Sequence, residues 1–135
     1  SKIFSIPKFG MINIHHEELP SYQNALSIIW QLYNNSKKTG YTIHKIDKNI
    51  DTGHILYKEV IPIIFKQNLK TTISFNYVRL WKKSSKGLVK LLENFEELQE
   101  KSFPQGPGKT YTTPSLSEYL IIYKNFKKLK RTYTN

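Results

Sequence analysis

Residues 10–56 read GMINIHHEELPSYQNALSIIWQLYNNSKKTGYTIHKIDKNIDTGHIL, and the order of their apolar and polar positions decides the fold. Met11, Ile12 and Ile14, ahead of the polar break His16-Glu17-Glu18, read as a short buried strand from Met11 to His15. Side chains alternate along a strand, so Asn13 and His15 share one face while Ile12 and Ile14 take the other. Leu19-Pro20-Ser21 is a turn. From Asn24 to Asn35 the apolar residues Ala25, Leu26, Ile28, Ile29, Trp30, Leu32 and Tyr33 recur at helical spacing, and the stretch leaves through Asn-Asn-Ser, which predicts a largely buried helix. Gly40 opens a second strand that runs to Asp47. After a polar turn ending Asp51-Thr52-Gly53, a third strand runs from Ile55 to Ile64, and Pro62 within it marks a sheet edge or a strand end.

Downstream, Leu69 to Gln99 carries Ile73, Tyr77, Leu80, Trp81, Leu88, Leu91, Leu92 and Phe95 on a helical stripe. A glycine in a helix interior costs about 1 kcal/mol, so Gly87 predicts a bend or break near Ser84-Ser85. The Pro- and Gly-rich segment Phe103–Thr113 reads as a loop. Thr113-Pro114 then starts a last helix, a cap residue followed by proline in the first turn. Its Leu116, Leu120, Tyr123 and Phe126 are expected to face inward and its lysines outward. The order strand, helix, strand, strand, helix, helix is α/β, yet three strands are few for a sheet buried on both faces. The first strand would be an unpaired edge unless something preceded it.

With 135 residues the chain makes a single modest domain, and no apolar run approaches the roughly 20 residues of a membrane-spanning helix. The hydrophobic fraction of 39%, with 13% aromatic, is enough to build a core. There is no cysteine, hence no disulfide framework or thiolate metal site, and the opening SKIFSIPKFG lacks the apolar run of a secretory signal, so the expected compartment is the cytoplasm. A net charge of +11 suits nucleic acid, phosphorylated metabolites or simply a lysine-rich surface. The charge concentrates at Lys124, Lys127, Lys128, Lys130 and Arg131, where the expected reading is a solvated helix face. A nucleic-acid surface would instead show exposed aromatics among the lysines.

Four features can carry chemistry: Asn13-Ile14-His15, the acidic run beside it, His44, and the turn from Asp47 to Gly53. Singly, each has an ordinary explanation. An Asn and a His at a strand end commonly tie down a loop, and Asp-Thr-Gly is a common turn. His15, His16, Glu17 and Glu18 do not make a metal site, because neighbours on an extended chain point opposite ways and at most one His and one Glu converge.

In order, however, the features resemble the central signature of the folate-dependent formyltransferase family, which includes glycinamide ribonucleotide, methionyl-tRNA and sugar N-formyltransferases. That signature runs Asn-x-His, a Leu-Pro-x-Tyr turn, a buried helix, Thr-Gly-x-Thr-x-His on a strand, and Asp-x-Gly-x-Asp-Thr-Gly. The matching residues are Asn13 and His15; Leu19, Pro20 and Tyr22; Trp30; Thr39, Gly40, Thr42 and His44; and Asp47, Asp51, Thr52 and Gly53. Asp51 follows His44 by seven positions, the family's interval. The later PQGPGKTYTTPS is similar to the family's segment containing Gln, Gly and Tyr.

The resemblance implies part of a Rossmann-like formyltransferase sheet with flanking helices, lacking the family's amino-terminal half. The catalytic-domain portion would span 1–114, followed by a basic helix and tail over 115–135. It implies a catalytic triad of Asn13, His15 and Asp51 that moves a formyl group from 10-formyltetrahydrofolate to a primary amine. It also implies a folate-binding turn at Asp47, Lys48, Asn49 and Ile50, supporting roles for Thr42, His44 and Gly53, and no metal. The expected acceptor is a nucleotide-linked amino sugar, with glycinamide ribonucleotide or methionyl-tRNA as alternatives; a non-catalytic basic fragment that binds nucleic acid is the competing class. Nucleic acid and membrane are not expected partners, whereas an oligomer or a preceding segment could complete the first strand's edge. The chain departs from the family at His16-Glu17-Glu18, where Pro-Ser-Leu is usual, and at Gln23-Asn24, where Arg-Gly is usual. Asn49 stands at the turn's usual glycine and tolerates a left-handed backbone.

Overall fold

The computed structural model describes residues 3–26 and 28–133. Ser27, inside the expected first helix, and Ser1, Lys2, Thr134 and Asn135 at the two ends lie outside the described residues. Strands β1 (Ile12–His15), β2 (Lys38–Lys45) and β3 (Ile55–Pro62) form an antiparallel sheet in the order β1-β2-β3. All three expected strands are present, but the second runs Lys38–Lys45 rather than Gly40–Asp47, and Pro62 closes the third short of Ile64. Helices α1 (Ile29–Tyr33), α2 (Leu69–Glu93), α3 (Phe95–Glu100) and α4 (Leu116–Tyr133) complete a mixed α/β arrangement.

The register explains how the sheet sorts its side chains. Asn13 pairs with His44 and His15 with Thr42, whereas Ile12 pairs with Lys45 and Ile14 with Ile43. Directly opposed residues in an antiparallel pair point to the same side, so Asn13, His15, Thr42 and His44 share one face. Ile12, Ile14, Tyr41 and Ile43 belong to the hydrophobic core on the other face, across which α2 packs through Leu80 and Leu91. The polar face is covered by the chain between β1 and α1. There the Thr42 hydroxyl donates to the Glu17 carbonyl at 2.8 Å and accepts the Leu19 N–H at 3.1 Å. Glu17 itself is buried and receives the Ile28 N–H at 3.0 Å, at the start of α1.

Four expectations about the helices need correction. The first helix does not begin at Asn24: that residue has φ 52, a left-handed backbone no α-helix contains, and Leu26 is exposed, so only Ile29–Tyr33 is helical. The long helix runs unbroken through Ser84-Ser85. Its Gly87 lies against Tyr41, where an added Cβ would come within 2.2 Å of the phenol oxygen, so the glycine serves close packing between helix and sheet. That helix ends at Glu93 rather than Gln99, because Asn94 leaves helical backbone and the short α3 follows. The last helix starts at Leu116 and buries Ile122, Phe126 and Leu129, while Leu116, Leu120 and Tyr123 are exposed. Its docking on α1 is fixed by Asn125, whose amide donates to the carbonyls of Leu32 and Tyr33 at 3.0 and 2.9 Å. No helix among the described residues is long and apolar enough to cross a membrane.

Candidate active site

Three stretches of chain meet at the end of β2. From β1 come Asn13 and His15, from β2 comes His44, and from the turn before β3 comes Asp51. The Asp51 carboxylate stands 3.6 Å from His15 Nδ1 through Oδ2 and 3.6 Å from His44 Nε2 through Oδ1, with its side chain 12% exposed. Asn13 Nδ2 lies 3.3 Å from His44 Nε2. The expected triad therefore comes together, and His44 is a direct member of the cluster rather than an outer support.

Each imidazole has one nitrogen committed to a backbone carbonyl, which can only accept. His44 Nδ1 donates to Lys45 O at 2.9 Å, and His15 Nε2 donates to Tyr22 O at 2.9 Å. The remaining nitrogens, His44 Nε2 and His15 Nδ1, are the ones turned toward Asp51. A neutral His44 accepts from the Asn13 amide; a protonated ring on either side faces the carboxylate with an N–H. The cluster therefore sets two imidazole nitrogens around one carboxylate. The Asp51 carboxyl is held below its ordinary value first by the His44 ring, then by the Asn24 N–H at 3.0 Å and the charges of His15 and His44, all against the opposing effect of burial.

The turn that presents Asp51 is built by close approach. Asp47 Oδ1 accepts from Asn49 N at 2.9 Å and from the Thr52 hydroxyl at 2.7 Å, closing the loop on itself. Left-handed backbone falls at Asp51, φ 55, and not at Asn49. Gly53 passes over Lys45 so tightly that an added Cβ would sit 1.8 Å from the Lys45 carbonyl oxygen. Lys48, Asn49 and Ile50 are exposed at the tip, with Ile50 70% exposed.

Residues not singled out from the sequence hold this turn from outside. Gln105 donates to Asp51 O at 3.0 Å and to Gly53 O at 2.7 Å, and Gln23 reaches Asp51 O at 3.4 Å. Gln23 also exchanges backbone hydrogen bonds with Lys109 and Tyr111, so the loop after α3 is stitched onto the strand–helix connection. Gln105 lies in the PQGPGKTY segment, which was a usable signal; nothing in the sequence marked Asn24 as an anchor for a carboxylate. The departures at 16–18 diverge from the cluster. His16 Nε2 meets the Ser84 hydroxyl at 3.0 Å, and burial, then the neighbouring His15, hold its ring below the ordinary value. No group of three His, Asp or Glu side chains among the described residues is placed to hold a metal ion.

The family model described as formyl transferase matches residues 1–92. The chain belongs to the formyl transferase family. This formyl transferase chain is similar to the methionyl-tRNA formyltransferase of Thermosynechococcus vestitus, 35% identical over 122 residues that cover 88% of this chain and 35% of that protein. It is also similar to the methionyl-tRNA formyltransferase of Kosmotoga olearia, 30% identical over 132 residues that cover 98% of this chain and 41% of that protein. Among solved structures it resembles the formyltransferase PseJ from Anoxybacillus kamchatkensis in complex with UDP-4,6-dideoxy-4-formamido-L-AltNAc and tetrahydrofolate. That similarity has a TM-score of 0.66 and 27% identity, over 84% of this chain and 58% of PseJ. The formyl transferase chain thus spans about a third of the length of the first of these relatives.

Proposed function

We propose that the protein transfers a formyl group from 10-formyltetrahydrofolate to a primary amine, and that the amine belongs to a nucleotide-linked amino sugar. The observation that carries the reading is the convergence of His15 and His44 on the Asp51 carboxylate, with Asn13 against His44. The amine nitrogen attacks the formyl carbon, a C–N bond forms, and the carbonyl oxygen becomes an oxyanion. Asn13 supplies a preorganised N–H for that oxygen; loss of one such donor typically costs about 3 kcal/mol. The proton released by the amine passes to the imidazole–Asp51 pair. The bond from the formyl carbon to the folate N10 then breaks, N10 takes a proton, and the formamide leaves with tetrahydrofolate as the second product. The exposed turn of Asp47, Lys48, Asn49 and Ile50 is the part we assign to the pterin. We take residues 1–114 as the catalytic portion and 115–135 as a basic carboxy-terminal segment, whose helix α4 (Leu116–Tyr133) docks on α1.

The donor assignment is supported by PseJ, whose structure contains tetrahydrofolate, and the acceptor by the nucleotide-linked formamido sugar in the same complex. A second acceptor, methionyl-tRNA, is favoured by the curated relatives. To discriminate them, the full-length protein is incubated with 10-formyltetrahydrofolate and, separately, nucleotide-linked amino sugars, methionyl-tRNA or glycinamide ribonucleotide, and products are read by mass spectrometry. Formylated amino sugar is the expected product. Formylated methionyl-tRNA without sugar product would transfer the assignment to the second acceptor, and folate binding with no formylated amine would remove the catalytic reading.

A further inference from the structure

At the opposite end of β2 from the Asp51 cluster lies a second polar concavity. The cleft, about 390 Å³, is bounded by Gln67 and Asn68 at the start of α2 and by Tyr123, Lys127, Lys130 and Arg131 on α4. Lys37, just before β2 begins, holds its Nζ 5.1 Å from the centre of the Tyr133 ring at the end of α4, whereas His44 stands near the other end of β2. Seven residues of extended chain separate the two ends by roughly 23 Å. The cleft is therefore remote from the Asp51 cluster.

Among the described residues no carboxylate lines it. Lys130 Nζ is fixed to the Gln67 carbonyl at 2.8 Å, which holds its ammonium on the wall, and Lys127 Nζ stands 4.9 Å from the centre of the Tyr123 ring. No ion pair among the described residues involves Lys127 or Arg131. Tyr123 is 43% exposed, so an aromatic ring stands open among the cations, the pattern expected of a nucleic-acid surface rather than of a merely solvated helix face. The volume is within the usual range of ligand sites. An arginine fork and two ammonium groups side by side on α4, facing Gln67 and Asn68 across the cleft, match the charge and the multiple acceptors of a phosphate group.

We infer that this cleft is a binding site for a phosphate-bearing anion, with the phosphate lodged among Lys127, Lys130 and Arg131. The same chemistry is offered by a free polyphosphate and by the backbone of a single-stranded nucleic acid, and the test separates the two. Binding of inorganic tripolyphosphate and of a short single-stranded oligoribonucleotide to the full-length protein is measured by calorimetry and fluorescence anisotropy. The wild type is compared with Lys127→Gln/Arg131→Gln and with the control Lys82→Gln/Lys86→Gln, which removes equal charge from exposed positions on α2. The cleft variant is expected to bind at least about tenfold more weakly, and the control to change by less than about twofold. For the oligoribonucleotide, the slope of log affinity against log salt should fall by about 1.4 in the cleft variant, two single-strand phosphate contacts being lost. Binding of tripolyphosphate alone assigns a free anion; binding of the oligoribonucleotide, with or without competition from tripolyphosphate, assigns a strand. Equal weakening in both double variants, with each retaining the wild-type melting temperature, would reduce the effect to net charge and overturn the site, as would failure of both probes to bind the wild type.

Discussion

Replacing Gly53 with alanine tests the tight crossing that sets the Asp51 turn. The new Cβ would stand 1.8 Å from the Lys45 carbonyl oxygen and 2.7 Å from its carbon, both backbone atoms that no rotamer can move. Reaching ordinary contact at 3.4 Å requires the two segments to part by about 1.6 Å. Two hydrogen bonds run through Lys45 at this point: its N–H donates to His54 O at 2.9 Å, and its carbonyl receives His44 Nδ1 at 2.9 Å. Losing both at about 1 kcal/mol each, with residual strain, predicts a destabilisation of about 2–4 kcal/mol in urea denaturation. Because the displaced carbonyl is also the tether of His44, formyl transfer should fall by about 100-fold, the usual effect of misplacing a catalytic group by an ångström. Gly106→Ala, with open space around the position, is the control and should change stability by less than about 0.5 kcal/mol. A Gly53→Ala protein as stable and as active as the wild type would refute the reasoning.

Gly87→Ala places a Cβ 2.2 Å from the Tyr41 phenol oxygen, so overpacking should outweigh the gain in helix propensity and cost about 1–3 kcal/mol by thermal denaturation, with partial recovery in Gly87→Ala/Tyr41→Phe. The Asp51 carboxyl is lowered from an ordinary 3.8, so its stabilising contribution is complete above that pH and is lost as the pH falls through the lower folded value. Asp51→Asn should accordingly flatten the stability–pH curve below about pH 4, as read by urea midpoints; an unchanged acid limb would contradict this. Gln105→Ala removes two donors from the carbonyls of Asp51 and Gly53 and should lower kcat more than it raises KM for the amine. A rise in KM alone would mean that Gln105 contacts the substrate rather than the turn.

The strands and the clustering of the candidate residues are legible in the sequence because alternation and turn chemistry act locally. Ile12 and Ile14 against Asn13 and His15 fixed the faces of β1, and Asp47 with Thr52 closed the turn. The helix faces were not legible to the same degree. On α4 the stripe Leu116, Leu120, Tyr123 is as helical and as apolar as Ile122, Phe126, Leu129, and only tertiary packing, with α1 and with Phe65 against Phe126, selects the second. Gly87 looked like a weak point by propensity, yet tertiary contact with Tyr41 accounts for it. The direct part played by His44 depends on the β1–β2 register, which matches it to Asn13 across the strands and which no single-strand periodicity contains. Asn24 lost its helical assignment to a left-handed turn that delivers its N–H to Asp51.

The most direct test of the central claim is a double-mutant cycle on formyl transfer in the full-length protein, with His15→Ala, Asp51→Ala and the pair together compared by kcat/KM. If the imidazole and the carboxylate handle one proton as a unit, the double variant should be little worse than the poorer single variant, a strongly non-additive result. Strict additivity of the two losses would show that the groups act independently and would contradict the shared site.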